Sequence, residues 1–152
     1  MASLVLPQRI RCSRARGYNL QHHSESLNGL PAWKVCRPSR FGNPFLVEVF
    51  GQETAVALYE SGLTGDPAEL RLDENARRWR SWVLANVHIL KAHNLACFCS
   101  LPAPYEPDRC HASILLRLAN PDIVESLRAA AAAAKPGDTF EFPRAWGGPA
   151  DG

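Results

Sequence analysis

The order of strand-like and helical segments is the feature of this sequence that most restricts its fold. Polar and apolar residues alternate over 8–14, and a second short strand is predicted over 33–37, where Pro38 ends it. The short apolar segment 94–99 is predicted to be a buried strand. Strands that are separated by helices favour a layered α/β fold, in which ligands bind beyond the carboxyl ends of the strands. We therefore expect an α/β domain with a short, mainly parallel sheet and flanking helices.

Helices are predicted between and after these strands. The first covers 52–61 and ends at Gly62, and a longer one covers 73–92 with an apolar stripe at intervals of three and four. A third helix is predicted to run to residue 119, with Asp108 as its cap. Residues 15–31 have no helical period, so we expect a polar connection there.

The length of 152 residues is that of one domain. We expect this domain over 8–120, then an alanine-rich helix over 121–135 and a flexible tail, rich in proline and glycine, over 136–152. Hydrophobic residues at 46% and charged residues at 21% exclude a wholly disordered chain. Neither a segment of the roughly 20 apolar residues that cross a bilayer nor a signal peptide is recognisable, so we expect a cytoplasmic protein.

Basic residues are concentrated in the first third of the chain. Residues 1–45 contain seven Lys and Arg and one acid, a net charge of +6, whereas residues 46–152 have a net charge of −4. This asymmetry indicates an anionic partner for the first third, either nucleic acid or a phosphorylated small molecule. A solvated basic surface without a partner is the alternative interpretation.

Three of the five cysteines occur with a histidine in a short window. Cys97 and Cys99 are two residues apart, so their thiols share one face of a strand, and Cys110 and His111 follow. Three thiols and an imidazole are a complete ligand set for tetrahedral zinc. A three-thiolate site, a pair of buried core thiols and a reactive thiol are the alternatives, because the spacing is unusual for zinc. The other two cysteines are expected to be buried and inert.

The segment 37–45 is the second candidate site. Arg37 and Arg40 provide fixed positive charges that can bind phosphate, and Ser39 and Asn43 add neutral hydrogen-bonding groups. Either phenylalanine of the segment could stack on a base. The pattern therefore suits an anionic, planar ligand such as a nucleotide, and a rigid turn held to the core by its aromatic side chains is the alternative.

Four segments, taken in order, resemble a known family. They are 13–18, 35–45, 94–99 and 110–120. The family is domain of unknown function 4326, which is common in actinobacteria and their phages, and the resemblance covers about 9–120. It places family-type positions at Arg16, Gly17, Arg37, Pro38, Ser39, Gly42, Asn43, Pro44, Cys97, Cys99, Cys110 and His111.

The resemblance carries no settled activity with it. At Cys36 the family more often has glycine, so this thiol is not expected to be functional. A looser resemblance of the Cys-then-Cys-His arrangement to another small α/β family implies a Rossmann-like, nucleotide-handling domain.

The first functional hypothesis is a domain that binds a nucleotide or another phosphorylated ligand between 37–45 and 97–111, with Arg16 also in contact. If the protein is an enzyme, it processes a nucleotide or nucleoside, and glycosidic-bond chemistry is the first to test. Cys110 and His111 would then supply the chemistry.

The second hypothesis is a non-catalytic module that binds nucleic acid and contains a structural zinc. Its phosphate contacts would be Arg9, Arg11, Arg14 and Arg16. A reduced, metal-free interaction domain is a third alternative, and none of the three involves a membrane.

Overall fold

The chain folds around a three-stranded parallel sheet, and the computed structural model describes residues 5–103, 106–137 and 146. The strand order is β1-β3-β2, and both neighbouring pairs are parallel. This confirms the expected α/β domain with a short parallel sheet and flanking helices. The elements are β1 (Arg9–Arg11), α1 (Leu20–Asn28), β2 (Ala32–Lys34), α2 (Val47–Phe50), α3 (Gln52–Thr64), α4 (Glu74–Asn86), a 3-10 helix (Val87–Leu90), β3 (Asn94–Cys97), α5 (His111–Ala119) and α6 (Pro121–Ala133).

The central strand β3 is buried along its whole length and separates two hydrophobic cores. Its alternating side chains point to opposite faces of the sheet. Leu95 and Cys97 belong to the larger core, which the helices α3 to α6 help to form. Ala96 belongs to the smaller core, against which Leu20 of α1 packs.

All three strands end at the same edge of the sheet, because they are parallel. The segments 12–18, 35–45 and 98–103 leave the strands there, and we call this side of the domain the carboxyl edge. Both candidate sites from the sequence lie on segments that start at this edge. The fold therefore places them where α/β sheets commonly bind ligands.

The helix α1 lies within the segment that was expected to be a connection, so that prediction was wrong. The side chain of Asn19 accepts a hydrogen bond from the backbone N–H of His22 at its start, and Gly29 ends it with φ of 79°. Only Ser24 of its nine residues is buried. The helix therefore has end signals in the sequence but no apolar stripe by which to detect it.

Two predicted helix boundaries also differ from the structure. Gly62 does not end α3, which continues to Thr64 with Gly65 as its cap residue. Gly62 is buried instead, and a Cβ there would lie 2.9 Å from the indole of Trp79. The predicted helix over 73–92 is divided after Asn86 into α4 and the 3-10 helix.

The predicted C-terminal helix corresponds to α6. Of the predicted flexible tail over 136–152, only Pro136, Gly137 and Trp146 are among the described residues. Trp146 is buried, and its Nε1 donates a hydrogen bond of 2.9 Å to the carbonyl of Pro7. The other residues of that segment lie outside the described residues. Within the described part of the chain, no helix has both the length and the apolarity to span a bilayer.

Candidate functional site

Three thiols meet where β3 ends and α5 begins. The Sγ atoms of Cys97, Cys99 and Cys110 all lie within 4.8 Å of one another, and those of Cys97 and Cys99 are 3.7 Å apart. A tetrahedral zinc with Zn–S bonds of about 2.3 Å separates its thiolate sulfurs by about 3.8 Å. The three cysteines, which we call the thiol group, therefore form a cluster that could hold a metal ion.

His111 lies beside the thiol group, but it does not complete a set of four. Among the described residues, the group whose ligand atoms all approach within 4.8 Å contains the three cysteines alone. The Nε2 of His111 donates a hydrogen bond of 2.8 Å to the carbonyl of Val35, and its Nδ1 is 3.9 Å from the Sγ of Cys110. The pKa of His111 is lowered from its usual value, and burial of the ring is the largest cause. A carbonyl can only accept, so the hydrogen bond to Val35 places a proton on Nε2.

Hydrogen bonds within the thiol group make its members unequally acidic. The thiols of Cys110 and Cys97 stabilise the thiolate of Cys99 and lower its pKa, and Gln52 contributes through Nε2, 3.7 Å from the Cys99 sulfur. The interactions with Cys97 and Cys99, together with burial, raise the pKa of Cys110. Cys99 is therefore the most acidic thiol of the group.

Cys99 is also the member of the group that reaches the surface. Cys97 and Cys110 are buried, whereas Cys99 is half-buried and lines a cavity of about 710 Å³. Gln52, at the start of α3, lines the same cavity beside Cys99 and donates from Nε2 to the carbonyl of Arg109 over 2.7 Å. A ligand in solution can therefore reach the thiol group past Cys99.

Arg9 holds the segment that follows β3 in place. Its guanidinium forms an ion pair with Asp108, and both side chains are almost completely buried. It also donates from Nη1 to the carbonyl of Cys99 over 2.9 Å and from Nη2 to the carbonyl of Ser100. Arg9 is thus not exposed to a nucleic-acid backbone, contrary to expectation.

The ion pair with Arg9 also explains why Asp108 does not cap the third predicted helix. The cap position before α5 is Cys110, and the helix begins at His111. Arg9 and Asp108 are 99 residues apart in the chain, so no local sequence signal relates them.

The exposed positive charges of the first third gather at the carboxyl edge. The guanidinium carbon of Arg14 lies 4.0 Å from the centre of the Phe98 ring, and the Nζ of Lys34 lies 4.9 Å from the same ring. Phe98 lies in the segment after β3, and the segment after β1 and the end of β2 both reach its ring. We call the exposed cations of this side the basic edge: Arg11, Arg14, Arg16, Lys34, Arg37 and Arg40.

The segment 37–45 combines a rigid turn with an exposed basic face. Arg37 is exposed, as is Arg40, whose guanidinium stacks 4.3 Å above the ring of Trp82. Gly42 is required by the turn, because a Cβ there would lie 2.9 Å from the carbonyl of Ser39. The hydroxyl of the half-buried Ser39 accepts a hydrogen bond from the backbone within the same turn.

The remaining polar and aromatic residues of this segment face the protein. Asn43 is buried, donates to the carbonyl of Ala55 over 2.9 Å and accepts from the backbone N–H of Phe45 over 2.9 Å. Its polar groups are thus occupied within the fold. Of the two phenylalanines expected as possible base-stacking residues, Phe41 is buried against Trp82 and is not available, and the half-buried Phe45 packs on other aromatic rings.

Comparison with known proteins gives one match. The profile of the family described as "Domain of unknown function (DUF4326)" matches residues 18–121, which contain the thiol group and the segment 37–45. Arg16 and Gly17 precede the matched residues. No curated protein and no solved structure is significantly similar to the chain. Because the match covers more than half of the sequence, the chain belongs to the family of domain of unknown function 4326.

Proposed function

We propose that this domain binds a nucleotide or a related phosphorylated ligand at its basic edge. The observation that carries the proposal is the convergence of Arg14 and Lys34 on Phe98, with Arg37 exposed on the segment that follows β2. The segments 12–18 and 35–45 contain no acidic residue that would neutralise these charges. An anion is therefore the ligand class that this surface favours.

The tight turn at 37–45 adds to the binding that we expect. Asn43 ties the segment to α3, and Gly42 allows a close approach of the backbone that a Cβ would prevent. Arg37 thus projects from a backbone that is already ordered, so binding loses less conformational entropy there than on a flexible loop.

A titration with nucleoside mono-, di- and triphosphates at low salt tests this proposal by calorimetry. We expect Lys34→Gln and Arg37→Gln each to weaken binding about tenfold, which is the usual effect of removing one charged hydrogen bond. Lys91→Gln is the matched control, because Lys91 precedes β3 at the opposite edge and is exposed near Asp122. Absence of binding to the unmodified protein, or an equal loss in the control, would contradict the proposal.

A titration with an oligonucleotide, run beside the one with mononucleotides, separates a nucleotide site from a nucleic-acid surface. Arg11, Arg14 and Arg16 remain exposed after Arg9 is excluded, so a phosphate backbone is the other anion to examine. Each phosphate contact adds about 0.9 to the log–log salt slope for duplex DNA. Binding of an oligonucleotide with a steep slope, without binding of mononucleotides, would favour the nucleic-acid module.

Release of a free base from a bound nucleotide or nucleoside would identify the domain as an enzyme of glycosidic-bond chemistry.

We infer that the metal ion held by the thiol group is zinc. Three thiolates are soft ligands that favour zinc and other thiophilic metals, and the 3.7 Å separation of two sulfurs fits tetrahedral zinc. The five cysteines are all free thiols in the structure. Free thiols and a zinc–thiolate site agree with a cytoplasmic location, where the environment is reducing.

Elemental analysis of the purified protein tests the zinc site. We expect one zinc per chain in the unmodified protein and in Cys12→Ala, because Cys12 is buried in the smaller core on the other face of the sheet. Cys99→Ala, which removes the least buried thiol of the group, should lose most of the zinc. A protein that contains iron or copper instead would contradict the choice of zinc, and a metal-free, folded protein would contradict the site itself.

A further inference from the structure

The thiol group offers one ligand fewer than a tetrahedral metal ion requires. In the described ranges, the carboxylates and imidazoles contribute no fourth ligand atom within 4.8 Å of all three sulfurs. His111 is the nearest candidate, but its Nε2 is bound to the carbonyl of Val35 at 2.8 Å. Its Nδ1 is 3.9 Å from the Cys110 sulfur, but it does not lie within 4.8 Å of all three sulfurs.

The thiol group reaches the surface at Cys99. Cys97 and Cys110 are enclosed by the larger core, and Cys99 lines the cavity of about 710 Å³. The cavity is large enough for water molecules, since one water occupies about 30 Å³ of liquid. A metal ion on the three sulfurs is therefore approached from the side of Cys99.

The lining of the cavity next to Cys99 is polar. The Nε2 of Gln52 lies 3.7 Å from the Cys99 sulfur and is oriented by its hydrogen bond to the carbonyl of Arg109. The Arg109 side chain is in turn 3.5 Å from the carboxylate of Glu53. A donor ligand that enters beside Cys99 would therefore lie next to the Gln52 amide, which can hydrogen-bond to it.

We propose that a metal ion on the thiol group has an exchangeable fourth ligand that enters from this cavity, water in the resting protein and a small donor molecule when one is bound. The inference rests on the metal binding proposed above. Zinc sites with three protein ligands and one open position are typical of catalytic centres, whereas structural zinc sites have four protein ligands. A metal ion on the thiol group is thus accessible to a substrate, unlike the metal ion of a closed structural site.

Cobalt-substituted full-length protein tests this inference, with azide and imidazole as probes. Cobalt(II) in place of zinc has visible d–d bands that report its ligands. We expect each probe to shift these bands in a saturable titration. Bands that respond to neither probe would show a closed site and overturn the inference.

A charge on the cavity wall tests the direction of entry. Gln52→Glu places a negative charge beside the proposed ligand position, and glutamate is favourable in the first turn of a helix. We expect it to weaken azide binding about fivefold, by charge repulsion, and to leave the binding of neutral imidazole nearly unchanged. Equal azide affinity in Gln52→Glu and the unmodified protein would contradict entry from this cavity.

Failure of this inference differs from failure of the zinc proposal. A protein that takes up neither zinc nor cobalt contradicts both. A protein that takes up one equivalent of metal, but whose bands do not respond to the probes, contradicts only the exchangeable fourth ligand. The azide and imidazole titrations use the unmodified protein, so their outcome does not depend on the folding of a variant.

Discussion

Arg9 controls the position of the thiol group although it contributes no thiol. Its guanidinium binds the carbonyls of Cys99 and Ser100 and the carboxylate of Asp108, so it joins both ends of the segment between Cys99 and Cys110 to β1. A buried ion pair is costly to desolvate, and additional hydrogen bonds compensate for that cost. Here the three acceptors fix the geometry on which metal binding depends.

Loss of Arg9 should destabilise the fold strongly. Arg9→Met retains much of the apolar stem but leaves the carboxylate of Asp108 buried without its cation, so we expect a loss of about 3–5 kcal/mol in the free energy of unfolding. Urea denaturation followed by tryptophan fluorescence measures it. Arg78→Met is the control, because the Arg78–Glu74 pair is exposed and should contribute less than about 0.5 kcal/mol. A loss below about 1 kcal/mol for Arg9→Met would show that the pair does not hold the segment.

The difference between local and distant contacts explains which site residues could be predicted. The sequence predicts the proximity of Cys97, Cys99 and Cys110 from their spacing and from the next helix, although β3 ends at Cys97 and Cys99 lies in the segment that follows it. The roles of Arg9 and Asn43 depend on partners that are 99 and 12 residues away. Their side chains look like surface ligands in the sequence, and only the tertiary structure shows that they are buried.

At the scale of elements, the contact between α3 and α4 depends on a residue without a side chain. A Cβ on Gly62 would lie 2.9 Å from one carbon and 3.1 Å from another carbon of the Trp79 indole. Trp79 also packs on Tyr59 of α3, with ring centres 5.2 Å apart. In the sequence, Gly62 looked like a helix end, because glycine commonly ends helices and its role in packing requires knowledge of the neighbouring helix.

Gly62→Ala therefore sets two effects against each other. Alanine in a helix is about 1 kcal/mol more favourable than glycine, whereas a methyl group forced into a packed contact costs about 1–3 kcal/mol. Because the contact is shorter than van der Waals distance, we expect the packing cost to dominate and the free energy of unfolding to fall by about 1 kcal/mol. Thermal denaturation measures the change, with Ser61→Ala on the exposed side of α3 as the control. A more stable Gly62→Ala variant would show that the indole of Trp79 moves aside at little cost.

The way in which each element packs explains why the sheet was predicted and α1 was not. Strand β3 is fully buried and three of its four residues are apolar, whereas α1 buries one serine among nine residues. Helix α1 is held mainly by polar contacts, such as the hydrogen bond of 2.8 Å between Asn94 and the Ser24 hydroxyl. Hydrophobic periodicity detects elements that pack by apolar surface, so it does not detect this one.

For the whole molecule, a metal on the thiol group would cross-link the central strand to the helix that follows it. Cys97 ends β3 and Cys110 immediately precedes α5, and both belong to the larger core. The unfolded chain does not hold the three thiols together, so metal binding favours the folded state. Metal binding and global stability are therefore expected to change together.

Removal of the metal should lower the melting temperature of the entire domain. At a free metal concentration of 100 times the dissociation constant, binding adds about 2.7 kcal/mol to stability. For a chain of this length, that corresponds to about 5–10 °C in melting temperature. We expect this decrease when a chelator is added to the unmodified protein and to Cys12→Ala, with recovery when zinc is restored. Cys99→Ala should melt at the lower temperature with or without the chelator, because it lacks one ligand. A chelator effect of the same size in Cys99→Ala would place the stabilising metal elsewhere in the protein.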